Sequence, residues 1–350
     1  MKRFLNMKAL YVILLIISFS IIAYFCIEDN NLSTLVNSMS VLNIIWLSVA
    51  CVFMFLVWII DAAIVKVLTV SVYNQKYTFR DAFKITMIGQ FFNSVTPFCI
   101  ASQPMQILAM SGQGLNAGRS ISVVVRKFII YQTTLVLYLI IAILFSFSFF
   151  SEKIPEFMTL AILGCFSQSV VVLLILFFTV KKDLTLKIIS GILNILTHFN
   201  LIKNPKDKMK MVEKQLNLYV ENNKELGENL SLTIKVFFLT LLQFTFMFSI
   251  SFCVYKSFNN LGYDIVNMIS GQAFITATSA YMPLPGGSGA MENAFITVFN
   301  GFFAKVDIKP AMLLWRFITY YSCIIFGLFF ALDVKRISSK SKQGFNVKTA

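Results

Sequence analysis

The chain has 350 residues, of which 57% are hydrophobic and 13% are charged, and its formal net charge is +14. Soluble domains usually carry about 25% charged residues, so this composition excludes a soluble globular protein and indicates an integral membrane protein. The basic residues are not interleaved with aromatic residues as on a nucleic-acid stacking surface, so we expect no nucleic-acid partner. We expect the charge to follow the positive-inside rule instead.

Six apolar stretches have the roughly 20 residues needed to cross about 30 Å of hydrocarbon. In chain order they are Ala9–Ile27, Val41–Ile60, Phe128–Phe150, Phe157–Val180, Val236–Tyr255 and about Pro310–Leu332. The first is longer than a signal-peptide core and no small-residue cleavage site follows it, so we expect it to be retained. Basic residues near both chain ends place both termini in the cytoplasm, with the protein in the plasma or inner membrane.

Two further apolar regions, Ile85–Gly118 and Ile265–Met291, contain no charged residue but are interrupted by helix breakers. The prolines at these breaks are Pro97 and Pro104 in the first region and Pro283 and Pro285 in the second. Basic residues flank the first region on both sides, whereas the loops that flank the second are short and weakly charged. We therefore expect two re-entrant hairpins, the first entering from the cytoplasm and the second from the outer face.

Together these elements predict an all-α polytopic membrane protein with about six full transmembrane helices and two broken re-entrant hairpins in an inverted repeat. Pro97 precedes Arg126 by 29 residues and Pro285 precedes Arg316 by 31 residues, which supports the repeat. We expect one transmembrane domain over residues 1–335, with repeat units at about 41–150 and 231–335. Residues 181–230 are predicted to be a cytoplasmic amphipathic helical insert that covers the bundle, lies on the membrane or binds a partner. Residues 336–350 are predicted to form a basic cytoplasmic tail.

The second break reads PLPGGSGAME and offers a specific local chemistry. Gly286, Gly287 and Gly289 permit positive φ and close backbone approach, and Ser288 or Gly289 can begin a helix. The N-terminus of that helix would present N–H groups to a phosphate or carboxylate. Glu292 falls in its first turn, where it either caps those groups or meets a cationic headgroup or a proton.

The first break and three charged residues complete the set of candidates. Thr96 and Gln103 offer uncharged hydrogen-bonding groups, either as contacts between helices or as a lining for a lipid headgroup. Arg126 and Arg316 are candidate partners for an anionic headgroup, although Arg126 also fits the role of a cytoplasmic anchor. Asp61 ends an apolar run, which favours an interfacial anchor over a proton site.

Other kinds of site find little support in the sequence. His198 is the only histidine, and the six cysteines are scattered singly without metal-ligand spacing. No phosphate-binding loop, dinucleotide motif or zinc motif is present. We therefore expect no catalytic residue, no metal and no cofactor, so that any energy for transport would come from an ion gradient, the lipid gradient or a partner.

These motifs resemble a known family. PLPGGSGAME (Pro283–Glu292) resembles the P-x-P-G-G-x-G-x-x-E signature of the lysylphosphatidylglycerol synthase transmembrane, or flippase-like, family. FFNSVTP (Phe91–Pro97) is similar to its first motif, and WRFITYY (Trp315–Tyr321) to its last-span arginine motif. The resemblance extends over about residues 5–335. It departs from the family at Ala101–Pro104, where Gly-Gly-Glu-Pro is common, and at Val125, where a glutamate usually precedes the arginine.

The resemblance implies a translocator that moves aminoacylated phosphatidylglycerol, another phospholipid or a lipid-linked headgroup across the bilayer. Some family members also carry a soluble synthase domain that transfers lysine to phosphatidylglycerol. Only 18 residues follow Leu332, so we expect that domain to be absent. The expected partners are anionic or aminoacylated membrane phospholipids and, as a further candidate, a separate synthase protein; the oligomeric state stays open. The alternatives are a membrane subunit of a phosphatidylglycerol lysyltransferase and a lipid-binding protein that moves nothing.

Overall fold

The computed structural model describes residues 42–73, 76–180, 190–191, 229–279 and 284–332. Almost all of these residues are helical, and no β-strand occurs among them. The predicted span Ala9–Ile27, nearly all of the insert 181–230, Pro283 and the tail 336–350 lie outside the described residues.

Nine helices lie within the described ranges. They are α1 (Ile44–Tyr73), α2 (Phe79–Val95), α3 (Ser102–Gly112), α4 (Ala117–Lys153), α5 (Pro155–Val180), α6 (Leu230–Ser257), α7 (Ile265–Ser279), α8 (Ala290–Phe299) and α9 (Ile308–Leu332). Five of them, α1, α4, α5, α6 and α9, are long and apolar enough to cross a membrane. They coincide with the five predicted spans that fall on described residues, and the class is an all-α polytopic membrane protein.

Helices α1 and α4 are longer than predicted, because charged residues do not end them. The predicted spans stopped beside Asp61 and Lys127, whereas both helices continue past these residues. The Lys127 ammonium lies 2.8 Å from the Asp61 carboxylate, so each charge is neutralised within the bundle. Asp61 is only 3% exposed, so its carboxylate is buried in the bundle, and its assignment as an interfacial anchor stays a prediction.

Helices α2 and α3 form a first hairpin (Phe79–Gly112) that returns to the end where it began. The Tyr77 hydroxyl donates a hydrogen bond to Gln113 Oε1 over 2.6 Å. The Gln113 amide in turn donates to the Asp81 carbonyl over 3.3 Å. Since Tyr77 precedes α2 and Gln113 follows α3, these bonds close the mouth of the hairpin.

Helices α7 and α8 form a second hairpin (Ile265–Phe299) of the same kind. Gly271 in the second turn of α7 packs against the end of α8, where a Cβ atom would lie 2.9 Å from the side chains of Val298 and Phe299. Glycine is required at this position because the two helices approach each other so closely. The mouth of the second hairpin is therefore also closed, and this segment turns back as well.

The two mouths lie at opposite ends of α4. At its start, the Tyr73 hydroxyl donates to the Asn116 carbonyl over 2.7 Å, beside the end of the first hairpin. At its other end, Ser146 bonds to Ser270 of α7 over 2.9 Å and Lys153 bonds to Tyr263 over 2.8 Å. Helix α4 has 37 residues, which corresponds to a length of about 55 Å. The hairpins therefore enter the bundle from opposite ends, as an inverted repeat requires.

Candidate functional site

Each hairpin is interrupted at its tip by a short 3₁₀ turn that begins with a proline. The turns are Pro97–Cys99 in the first hairpin and Pro285–Gly287 in the second. The residue after the proline has a left-handed backbone in both, with φ of 53° at Phe98 and 58° at Gly286. The third residue of each turn is also left-handed, with φ of 56° and 65°. The two breaks thus share one backbone conformation, although only the second builds it from glycine.

The two tips touch each other through Tyr320 of α9. Its hydroxyl lies 3.0 Å from the Ser94 carbonyl at the first tip and 3.4 Å from the Pro285 carbonyl at the second. The Tyr320 ring packs directly on Gly286, where a Cβ atom would lie 2.0 Å from the ring. The Cys99 thiol lies beside the backbone of Gly286. Tyr320 therefore satisfies part of the backbone polarity at both breaks, as non-helical backbone inside a membrane protein requires.

Glu292 makes two interactions at the start of α8, one through each carboxylate oxygen. Its Oε2 atom accepts a hydrogen bond from the backbone N–H of Gly289 over 2.7 Å, which caps the helix. Its Oε1 atom accepts from Nε of Arg316 over 2.7 Å. Both side chains are almost fully buried, with exposed fractions of 1% and 2%. Of the roles considered for Glu292, capping is present in the structure, together with an ion pair to Arg316.

Arg316 links this ion pair to the second break. Its second terminal nitrogen, Nη2, donates to the Gly286 carbonyl over 3.0 Å. Its guanidinium carbon lies 4.7 Å from the centre of the Tyr320 ring, within the range of a cation–π contact. A π-helical turn, Phe317–Tyr321, follows Arg316 directly; such turns are frequent at functional sites. A single arginine thus holds a carboxylate and a backbone carbonyl at the second tip.

The other predicted residues of the second break lie in the same place. Gly287 forms the end of the turn, and Gly289 is the N-terminal cap residue of α8 with φ of 87°. The Ser288 hydroxyl donates to the Pro285 carbonyl over 2.7 Å. The structure therefore gathers the predicted glycines and Ser288 around the Glu292–Arg316 pair.

At the first tip, Thr96 forms hydrogen bonds within the hairpin, and Gln103 and Pro104 lie in the helix that follows the break. The Thr96 hydroxyl donates to the Phe92 carbonyl over 2.6 Å and accepts from the Ala101 N–H over 3.4 Å. Gln103 is half-buried in the first turn of α3. Pro104 lies in that same turn, where proline is tolerated, so the helix is broken at Pro97 rather than there.

Arg126 lies apart from the tips. Its Nη2 atom donates to the Thr233 hydroxyl of α6 over 2.6 Å. Both residues line a cavity of about 450 Å³ between α4 and α6, together with apolar side chains such as Ile129, Phe237 and Phe238. The structure therefore does not bring Arg126 to the Glu292–Arg316 pair, and the two predicted anion partners belong to different places in the bundle.

The sequence interpretation missed two features. Tyr320 is the residue that joins the tips, and its only signal was its place in the aromatic run that follows Arg316. The ion pair of Asp61 with Lys127 was also missed, although each residue interrupts or borders an otherwise apolar run. Isolated charges in apolar runs are the signal that could have paired them.

Comparisons with known proteins identify a family of membrane proteins that this chain resembles. The chain matches the family model described as "Lysylphosphatidylglycerol synthase TM region" over residues 10–327, a range that includes both hairpins and Arg316. It is also 26% identical over 306 residues to a UPF0104 membrane protein of Archaeoglobus fulgidus. The aligned region covers 85% of this chain and 88% of that protein. The chain is therefore a multi-pass membrane protein that belongs to the family of the lysylphosphatidylglycerol synthase TM region.

Proposed function

We propose that the protein is a lipid translocator, which moves a phospholipid headgroup across the bilayer past the two hairpin tips. The observation that carries this proposal is the contact of two broken hairpins that enter from opposite ends of the bundle and meet at Tyr320. Inverted-repeat transporters build their substrate sites from such broken helices. The family match supports a role in lipid modification or translocation.

Arg316 is the proposed contact for the lipid phosphate. Its guanidinium already binds a carboxylate and a carbonyl in a buried place, and a phosphate offers the same oxygen acceptors to the same donors. When the tips separate, a phosphate can replace Glu292 on Arg316, so that the guanidinium keeps an anionic partner. The Glu292 carboxylate is then available to the amine of an aminoacylated headgroup. The cargo class is therefore an anionic or aminoacylated phospholipid.

We also assign the remaining predicted residues to the route of the headgroup past the two hairpin tips. Gly286, Gly287 and Gly289 let the headgroup approach the backbone closely. Ser288, Thr96 and Gln103 supply neutral hydrogen-bonding groups beside the two breaks. Because Arg126 lies away from the tips, we assign it to an earlier contact of the headgroup, between α4 and α6.

The proposed orientation follows from the loop charges. The protein lies in the plasma or inner membrane, with both termini and the insert at 181–230 in the cytoplasm. The mouth of the first hairpin faces the cytoplasm and that of the second hairpin faces outside. Repeat units at about 41–150 and 231–335 then alternate their access to the two leaflets.

Reconstitution tests this function. Purified protein in liposomes should accelerate the exchange of labelled phosphatidylglycerol or lysylphosphatidylglycerol between leaflets, measured with a quencher that does not cross the membrane. Arg316→Gln should slow this exchange, whereas Lys153→Gln, which changes an exposed cation at the mouth of the second hairpin, should not. If the folded protein moves none of the tested lipids, the translocator proposal is wrong.

The family description also supports a second candidate, the membrane subunit of a phosphatidylglycerol lysyltransferase. The same purified protein, given lysyl-tRNA and phosphatidylglycerol, would then form a new aminoacylated lipid. We expect no product by mass spectrometry. Saturable lipid binding without exchange between leaflets would instead indicate a protein that binds lipid and does not move it.

A further inference from the structure

A second group of buried polar side chains lies away from the hairpin tips, where α1, α4 and α6 meet. The Lys127 ammonium lies 2.8 Å from each of the two carboxylate oxygens of Asp61. The Gln243 amide nitrogen, Nε2, lies 3.5 Å from Asp61 Oδ1. The other amide atom, Oε1 of Gln243, is buried and has no hydrogen-bond partner. A buried acceptor without a partner is costly, so this atom calls for an explanation.

We propose that Asp61 is a proton-binding site and that Gln243 serves both of its protonation states. The ionised carboxylate accepts hydrogen bonds only, and the amide nitrogen of Gln243 faces it. The protonated carboxyl group gains an O–H donor, for which the Gln243 oxygen is an acceptor. Rotation of the Gln243 amide exchanges the positions of its oxygen and nitrogen. The same side chain can therefore hydrogen-bond to Asp61 in both the ionised and the protonated form. The Gln243 oxygen without a partner is then the acceptor for the O–H group of protonated Asp61.

Binding of a proton changes the charge of the Asp61–Lys127 pair from zero to +1. An unpaired ammonium is costly in a buried place, so proton binding should drive Lys127 away from Asp61. Lys127 is the partner that can move, because its side chain is 15% exposed and that of Asp61 is 5% exposed. Its long apolar stem lets the ammonium reach towards the end of the helix.

Within the described ranges, the other titratable groups close enough to interact electrostatically with Asp61 are Tyr131 of α4 and Cys323 of α9. Both are neutral near pH 7, and α6 contributes the uncharged amide of Gln243. The positive charge opposite Asp61 therefore comes from Lys127. This pair joins α1 to α4, and α4 directly follows the first hairpin, so protonation would remove one connection between α1 and α4 beside that hairpin.

Infrared difference spectroscopy tests the site on the full-length protein in lipid nanodiscs. Acidification should produce the carbonyl band of a protonated buried carboxyl group in the wild-type protein, and the band should be absent from Asp61→Asn. It should persist in Asp81→Asn, a matched change at the mouth of the first hairpin. In Lys127→Met the band should be present already at neutral pH, because the carboxylate has lost its opposite charge. In Gln243→Leu the band should move to higher frequency, because the carboxyl group has lost its acceptor.

Two results would overturn the proposal. One is the same band in Asp61→Asn, since it would then come from another carboxyl group. The other is its absence from folded Lys127→Met at both neutral and acidic pH. Folding is checked by size-exclusion chromatography, and if Asp61→Asn fails to fold, the double variant Asp61→Asn/Lys127→Met provides the comparison without a buried charge. The readout does not involve lipid movement, so it is independent of the translocator proposal.

Discussion

Phe98 and Gly286 occupy equivalent positions in the turns at the two hairpin tips and share a left-handed backbone, with φ of 53° and 58°. Glycine adopts this conformation without cost, whereas a residue with a Cβ atom is disfavoured there by about 1–2 kcal/mol. The Phe98 side chain is 51% exposed, so its packing offsets little of that cost. The first tip is therefore strained at a position where the second is not.

Phe98→Gly should consequently stabilise the protein by about 1 kcal/mol, because it removes the steric cost of the left-handed backbone. Thermal unfolding of the purified variant, followed by intrinsic fluorescence, measures this change. Phe98→Ala is the control, since it removes the ring but keeps a Cβ atom. Equal stability of the two variants would show that the ring, and not the backbone, determines the effect.

Gly286→Ala should destabilise the protein by about 2 kcal/mol or more, because two costs combine. The new Cβ atom would need a left-handed backbone and would lie 2.0 Å from the Tyr320 ring. Gly114→Ala is a matched control, since Gly114 has φ of 89° but a Cβ atom there would have no neighbouring atom within 4 Å. The difference between the two variants in unfolding free energy isolates the contact with Tyr320. No difference would mean that the tips do not pack as described.

The Glu292–Arg316 pair should behave as one unit in a double-mutant cycle. Glu292→Gln or Arg316→Met alone leaves a buried charge without its partner, which costs about 3–5 kcal/mol. The double variant removes both charges, so it should be more stable than the sum of the single effects predicts. Chemical unfolding of the four proteins in detergent gives the coupling energy. Additive effects would show that the two side chains do not interact in the folded protein.

The mouths of the two hairpins should be accessible from opposite sides of the membrane. Ser111 lies near the mouth of the first hairpin and Asn300 directly follows the second. A maleimide that does not cross the membrane should label Ser111→Cys from the cytoplasm and Asn300→Cys from outside. Cys51 and Cys99, which are not buried, are first replaced to remove background. Labelling of both positions from one side would contradict the inverted arrangement.

Local backbone chemistry explains what the sequence could predict. Proline and glycine act on the backbone within a few residues, so the breaks at Pro97 and Pro285 and the start of α8 beside Glu292 were predictable. The charges of the flanking loops also predicted that each broken segment forms a hairpin and that the two hairpins enter from opposite sides. Both hairpins close at their mouths in the structure, through the Tyr77–Gln113 contact and the packing of Gly271.

Side-chain partners depend on helix rotation and packing, which the sequence pattern did not specify. Arg316 and Glu292 are 24 residues apart, and Lys127 and Asp61 are 66 residues apart. Arg126 and Lys127 are neighbours in sequence but point about 100° apart on a helix. Only Lys127 therefore reaches Asp61, while Arg126 contacts Thr233. A rotation by one residue decides which of two adjacent cations joins the core of the bundle.

The π-helical turn at Phe317–Tyr321 sets the phase between the two parts of α9. Arg316, before the turn, holds the second hairpin, whereas Gly327, after it, packs against Met87 and Phe91 of the first hairpin. A π turn accommodates one more residue than an α turn, and each residue rotates an α-helix by about 100°. Deletion of one residue here would turn Gly327 away from the first hairpin while Arg316 stayed in place. That additional residue lets one continuous helix contact both hairpins, which approach it from opposite directions.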